Sequence, residues 1–260
     1  MSNYFYLVMF IIVFFIINNV LNQKNIDIQK YLPSIYLKKV CLKRKFKNFI
    51  SNHNQIILDK PLIYIENFLN KDFYNYLVKQ IPNKNLKTSD VYFRKAGGIS
   101  FEKLHKNFDG FVELYYSQEL KTFLEKKIQK IINRPPLSDK NCCSLLLYTK
   151  KGDFIDWHYD YSSYYGKRIT ILITLVNENY ETGELSDNEF IYLENNVEKK
   201  IKCKPNSIVI FDGEHIKHKS TPIDNNQKRV LISMTFCDIC QEKNNIVNKV
   251  YERIKNMVFY

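Results

Sequence analysis

The chain has 260 residues, 45% of them hydrophobic and 25% charged, a composition that excludes a disordered or fibrous protein and suits one domain of about 200 residues with an appendage. A net charge of +12 admits attraction to nucleic acid, anionic lipid or acidic substrates. The lysines are nevertheless spread through a chain rich in Asn, Ile, Lys, Tyr and Phe, as a general compositional bias spreads them, so nucleic acid is not an expected partner. Six irregularly placed cysteines exclude a disulfide framework.

Residues 4–17 are an unbroken apolar run, which Asn18 and Asn19 interrupt before Val20 and Leu21 extend it. Residues 1–21 are therefore expected to be a single-pass membrane anchor. The run is apolar on every side, unlike a core helix, and it lacks the basic start and small-residue cleavage site of a signal peptide. No Lys or Arg precedes it, whereas Lys24, Lys30, Lys38 and Lys39 follow. Positive charge tends to stay cytoplasmic, so the rest of the chain is expected in the cytosol, with the ER lumen as the alternative. The absence of any Asn-x-Ser/Thr sequon is a second argument against a lumenal domain. Residues 22–55 read as a basic juxtamembrane linker. Its cluster of Lys38, Lys39, Lys43, Arg44, Lys45 and Lys47 either touches anionic headgroups or is simply solvated.

The folded domain is expected over residues 56–260. A strand-like stretch over 58–69 leads to Asn70, a helix cap, after which Phe73, Leu77, Val78 and Ile81 recur at helical spacing. A second helix is expected over 117–133, with Leu120, Phe123, Leu124, Ile128, Ile131 and Ile132 in one stripe, ended by Arg134-Pro135-Pro136. Eight short strands then follow, over 144–148, 154–157, 168–176, 189–193, 197–203, 207–211, 215–219 and 229–236, before a closing helix over 241–259. Helices first and strands after is an α+β order, and strands at this spacing suggest a sandwich or jelly roll.

One stretch carries chemistry. Side chains two apart on a strand share a face, so His158 and Asp160 can grip one metal ion. A third ligand is needed from elsewhere, and the stretch 211–222 offers His215 and His218. Two His and one carboxylate on one face of an ion leave its other face open, the arrangement of non-haem Fe(II) oxygenases.

The stretch 61–236 resembles the 2-oxoglutarate and Fe(II)-dependent oxygenases, closest to the prolyl 4-hydroxylase-like branch. The resemblance is carried by Pro61 to Leu69 before a helix; by Tyr148 and Gly152-Asp153 leading into His158-x-Asp160; by Arg168-Ile169-Thr170-Ile171-Leu172; by His218-Lys219-Ser220-Thr221-Pro222; and by Lys228-Arg229-Val230-Leu231-Ile232-Ser233. It implies a double-stranded β-helix (jelly-roll) core flanked by helices. The family's Pro four residues after the distal His, and its basic residue ten or eleven after, choose His218 through Pro222 and Arg229. The resemblance then makes His158, Asp160 and His218 the catalytic iron ligands, with Arg229 and Tyr148 meeting the distal carboxylate of 2-oxoglutarate and Ser233 adding a donor. Strand parity favours Arg229 over Lys228, which shares its face with the apolar Val230, Ile232, Met234 and Phe236. Arg168 is a reserve anchor.

The activity implied is hydroxylation of a protein or peptide side chain, proline first, coupled to decarboxylation of 2-oxoglutarate to succinate, with Fe(II) and O2 and with ascorbate as an admissible accessory. The retained Asp160 argues for hydroxylation, since related halogenases carry a small residue there. Thr182-Gly183-Glu184-Leu185 keeps one glycine where the family often has two, and Asn225-Asn226-Gln227 has none, so prolyl specificity does not follow directly. Two other readings keep the same residues: the same chemistry on a lipid, small molecule or nucleic acid, and a non-catalytic membrane-tethered jelly-roll binding module. Cys237-Asp238-Ile239-Cys240 has the spacing of half a zinc site or a redox pair, but with no second Cys-x-x-Cys in the chain Cys237 and Cys240 read as two ordinary cysteines. Tyr159, Tyr161, Tyr164 and Tyr165 either wall the substrate site or simply pack. Oligomeric state is not legible.

Overall fold

A computed structural model describes residues 46, 48–82, 88–101, 103–104, 108–136, 139, 141–243, 246 and 250. The anchor expected over 1–21 and most of the closing helix expected over 241–259 lie outside the described residues. Among those described, no helix is long and apolar enough to cross a membrane.

In chain order the elements are β1 (Gln55–Leu58), β2 (Ile63–Glu66), α1 (Lys71–Lys79), β3 (Thr88–Val91), β4 (Arg94–Ile99), α2 (Asp109–Tyr116), α3 (Gln118–Ile128), β5 (Cys143–Tyr148), β6 (Phe154–His158), β7 (Arg168–Asn179), β8 (Phe190–Glu194), β9 (Val197–Ile201), β10 (Ser207–Asp212), β11 (His218–Ser220) and β12 (Gln227–Cys237). The expected α1 starts where its cap predicts, with Asn70 Oδ1 accepting the Asp72 N–H at 3.0 Å. Ser117 caps α3 in the same way, accepting the Leu120 N–H at 3.1 Å. That helix stops at Ile128 rather than 133, because Gln129 turns into the left-handed region at φ 54°.

The strands form one antiparallel sheet in the order β1-β2-β10-β7-β12-β5-β4-β6-β11-β8-β9, with β3 paired to β4 off this path. Alternation divides its side chains into two cores. Ile171, Ile173, Ile208, Ile210, Val230, Ile232 and Met234 pack against Phe73 and Leu77 of α1, Phe111 of α2 and Leu120 and Leu124 of α3. Each such fully buried side chain contributes ~1.5–3 kcal/mol. The opposite face presents Leu146, Tyr148, Leu172, Val209 and Leu231, which cluster with Phe190, Tyr192 and Ile201 from the far end of the sheet. Strands so far apart in pairing order meet only if the sheet folds over itself, with β4 carrying it round between β5 and β6. The result is a curled antiparallel core with helices on one outer face, the jelly-roll arrangement expected.

Two expectations need correction. The packed domain begins before residue 56: Phe49 is fully buried in the helix-covered core, and Ile50 bridges to Leu69. Cys237 and Cys240 are not two ordinary cysteines but a disulfide, because β12 ends at Cys237 and the chain turns back to leave the Cα atoms 5.3 Å apart. Cys142, Cys143 and Cys203 are buried free thiols.

Candidate active site

β6 and β11 are antiparallel neighbours, and His158 lies directly opposite His218, their ring centroids 4.2 Å apart. Asp160 follows two residues later and is pinned by its N–H donating to Gly213 O at 2.8 Å. The ligand atoms of His158, Asp160 and His218 all lie within 4.8 Å of one another. Both imidazoles are oriented alike: His158 Nδ1 lies 2.7 Å from Asp156 O and His218 Nδ1 2.9 Å from Ile216 O. A carbonyl oxygen accepts only, so each Nδ1 carries a proton and each Nε2 is the ring nitrogen turned free of that bond, as a metal ligand must be. His218 is 5% exposed, and burial pushes its pKa down to about 4, so it is neutral at pH 7 as a ligand must be.

Burial pushes the Asp160 carboxyl up, but Arg168, His218, His158 and the Thr170 hydroxyl together outweigh it and hold it well below the usual carboxylate range. Thr170 on β7 donates to Asp160 Oδ2, and Arg168 Nε stands 3.8 Å from the same oxygen. Arg168 thus stands beside the Asp160 carboxylate and lines the same cavity. No side chain fits at Gly213: a Cβ there would lie 2.6 Å from Asp160 Oδ2.

The triad opens onto a cavity of about 500 Å³. Arg229, Tyr148 and Ser233 all line it, as the sequence reading requires. Arg229 and Tyr148 are opposite residues of β12 and β5, both 1% exposed, with the guanidinium 5.4 Å over the tyrosine ring. Arg229 Nη1 donates to Ser220 Oγ at 2.6 Å, while its buried Nε–H has no protein partner. A buried, partly unsatisfied guanidinium calls for an anion, and a planar fork suits a carboxylate. Two imidazoles and a carboxylate suit a divalent first-row metal, so the residues present fit both Fe(II) and 2-oxoglutarate.

His215 sits in a turn, not on a strand, its exposed ring 2.9 Å from Asp212 Oδ1 and turned away from the triad. Phe93, Tyr159 and Tyr161 form an exposed aromatic rim, whereas Tyr164 is buried and donates to Asp139 Oδ2 at 2.7 Å. Trp157, immediately before the first metal ligand, lies under the Lys219 ammonium at 4.4 Å. Sequence reasoning missed Arg94, a buried cavity residue on β4, and Thr170.

Residues 143–236 match the family model of the 2OG-Fe(II) oxygenase superfamily. No curated protein matches the chain in sequence. Among solved structures, the chain is similar to prolyl 4-hydroxylase from Phytophthora capsici, with TM-score 0.51 and 17% identity over 76% of this chain and 69% of that one. It is similar also to the non-haem alpha ketoglutarate dependent epimerase SnoN from nogalamycin biosynthesis, with TM-score 0.54 and 11% identity over 69% of this chain and 78% of that one. The same epimerase in complex with Fe3+, alpha ketoglutarate and nogalamycin RO gives 0.53 and 10%, over 69% and 80%. The matched stretch, residues 143–236, holds His158, Asp160, His218 and Arg229, and the superfamily it resembles uses Fe(II), 2-oxoglutarate and O2.

Proposed function

We propose that this protein is a dioxygenase that hydroxylates a side chain of a protein or peptide, proline being the first to test, while converting 2-oxoglutarate to succinate. The observation that carries the reading is one cavity joining the His158, Asp160 and His218 triad to the buried Arg229 and opening between exposed aromatic side chains. Fe(II), when bound by the triad, supplies O2 activation coupled to decarboxylation of the keto acid. The chain does the rest. Arg229 and Tyr148 hold the distal carboxylate, with Ser233 adding a hydroxyl. Thr170 and Arg168 keep Asp160 ionised and aimed, and Leu172, Leu231 and Phe190 exclude water from the reacting end. Phe93, Tyr159 and Tyr161 offer an extended chain aromatic surface at low entropic cost.

The test is Fe(II)-dependent succinate formation by the full chain in detergent, with His218→Ala as control, first alone and then with proline-containing peptides. Turnover stimulated by peptide and absent from the variant supports the reading. Stimulation by a small molecule instead would keep the chemistry and change the substrate class, and a wild-type protein binding neither Fe(II) nor 2-oxoglutarate would leave only a binding module.

Residues 1–21 are proposed as a single-pass anchor on the strength of their apolar run alone. The charge bias puts the domain in the cytosol, whereas the Cys237–Cys240 cross-link weighs towards an oxidising compartment such as the ER lumen. Protease protection of the domain in sealed vesicles distinguishes the two.

A further inference from the structure

The reaction uses the triad and Arg229 but leaves a buried polar hub unexplained. The β7–β8 loop ends in Ser186, Asp187 and Asn188, of which Ser186 is fully buried and Asn188 is 1% exposed. Burying hydroxyls and amides in a loop is costly unless each is paired, and here each reaches a different strand. Ser186 Oγ donates to Asn177 Oδ1 on β7. Asp187 N–H donates to Gln227 Oε1 at 3.1 Å, and Gln227 Nε2 returns a bond to Asp187 Oδ2 at 2.5 Å, at the start of β12. Asn188 Nδ2 donates to Ser220 Oγ at 3.1 Å and to Thr221 O, at the end of β11.

Ser220 is the link to the cavity. Its hydroxyl has one proton and two lone pairs. It accepts Arg229 Nη1–H at 2.6 Å and meets the Asn188 carboxamide end-on, with Oδ1 at 3.2 Å and Nδ2 at 3.1 Å, so that Asn188 engages it through one of these two atoms at a time. Asn188 thus holds the hydroxyl that holds one prong of the guanidinium, while Nε–H keeps no protein partner. Two residues earlier on the same strand stands His218, so the Asn188 bond to Thr221 O also holds the end of the strand that carries a metal ligand.

We propose that Asn188 is a positioning residue for the cosubstrate: by holding the Ser220 hydroxyl in place it sets the orientation of the Arg229 guanidinium, and with it the preference for a keto acid carrying a second carboxylate. This rests on the oxygenase reading and is tested by binding rather than turnover. The full chain, loaded with Mn(II) without O2, is titrated calorimetrically with 2-oxoglutarate and with 2-oxopentanoate, which has the same carbon chain but no distal carboxylate. Wild-type protein should prefer 2-oxoglutarate strongly. Asn188→Ala should lose about tenfold in affinity for 2-oxoglutarate, the scale of one hydrogen bond to a charged group, with 2-oxopentanoate unchanged. Ser220→Ala should behave alike, and the double variant should be no worse than either, since the two act through one link. A merely structural role would weaken both acids together. Should Asn188→Ala fail to fold, Ser220→Ala carries the same test. Unchanged discrimination in the variants overturns the inference alone; a wild-type protein that does not discriminate, or binds neither acid, overturns the oxygenase reading and the inference with it.

Discussion

Replacing Gly213 with alanine places a methyl group against the metal carboxylate. The added Cβ would lie 2.6 Å from Asp160 Oδ2 and 2.9 Å from Asp160 Cβ, with Thr170 Oγ1 closer still. Carbon and oxygen settle no nearer than roughly 3.3 Å, so about 0.7 Å must be found. Little of it can come from the backbone, because Gly213 accepts from Asp160 N at 2.8 Å and donates to Arg168 O at 3.1 Å. Asp160 must move, and metal sites tolerate ligand displacements of only about 0.2 Å. Perturbing a ligand's supports typically costs 10–100-fold in metal affinity, or ~1.4–2.7 kcal/mol. The assay is calorimetric titration of metal-free protein with Mn(II) under argon. Gly152→Ala is the control: φ is +80° there and nothing lies within 4 Å of the added Cβ, so it should lose roughly 1 kcal/mol of stability with metal affinity unchanged. A Gly213→Ala protein that binds Mn(II) as tightly as wild type would refute the steric argument.

His218→Ala should abolish Mn(II) binding, whereas His215→Ala should leave it within about twofold; the same titration decides, and the reverse pattern would reassign the third ligand. Burial holds His218 at about 4 against about 6.5 unfolded, so between those values the unfolded chain takes up a proton that the folded chain refuses. The metal-free protein should therefore lose about 2 kcal/mol between pH 7 and pH 5, Asp160 remaining ionised throughout and adding nothing. Urea unfolding at the two values measures this, and a pH dependence surviving intact in His218→Gln would exclude His218 as its source. Cys240→Ser should lower stability by at most about 2 kcal/mol, since the loop closed is short; a much larger loss in thermal melts would mean that the cross-link holds more than its own turn.

The strands were legible because alternation alone separates the two cores. On β12, Val230, Ile232 and Met234 face the helices, while Arg229, Leu231 and Ser233 face the cavity, as parity requires. The triad was legible for a related reason: two ligands two residues apart on one strand must share a face, and the third followed from the family's spacing. The β3–β4 hairpin was not legible. β4 owes its place to its neighbours β5 and β6, and Gly97 and Gly98 within it carry no hydrophobic signal. Arg94 was lost with it. The 186–188 hub was equally hidden, because Ser, Asp and Asn in sequence read as a solvated loop and only the closing of β11 and β12 around them shows Ser186 and Asn188 buried. His215, expected on a strand over 215–219, lies instead in the turn before β11.

Trp157 is the sole tryptophan of the chain, and it is bonded directly to His158, the first residue of the candidate metal triad, beneath a lysine ammonium. Excited selectively, its indole therefore gives an intrinsic optical signal from one place only, the backbone of the iron strand. A paramagnetic divalent ion arriving at His158 comes within quenching distance, while the cationic partner at 4.4 Å makes the emission sensitive to any shift of β11 against β6. Metal loading and strand movement can thus be followed in the unlabelled protein, in real time and before any substrate has been found.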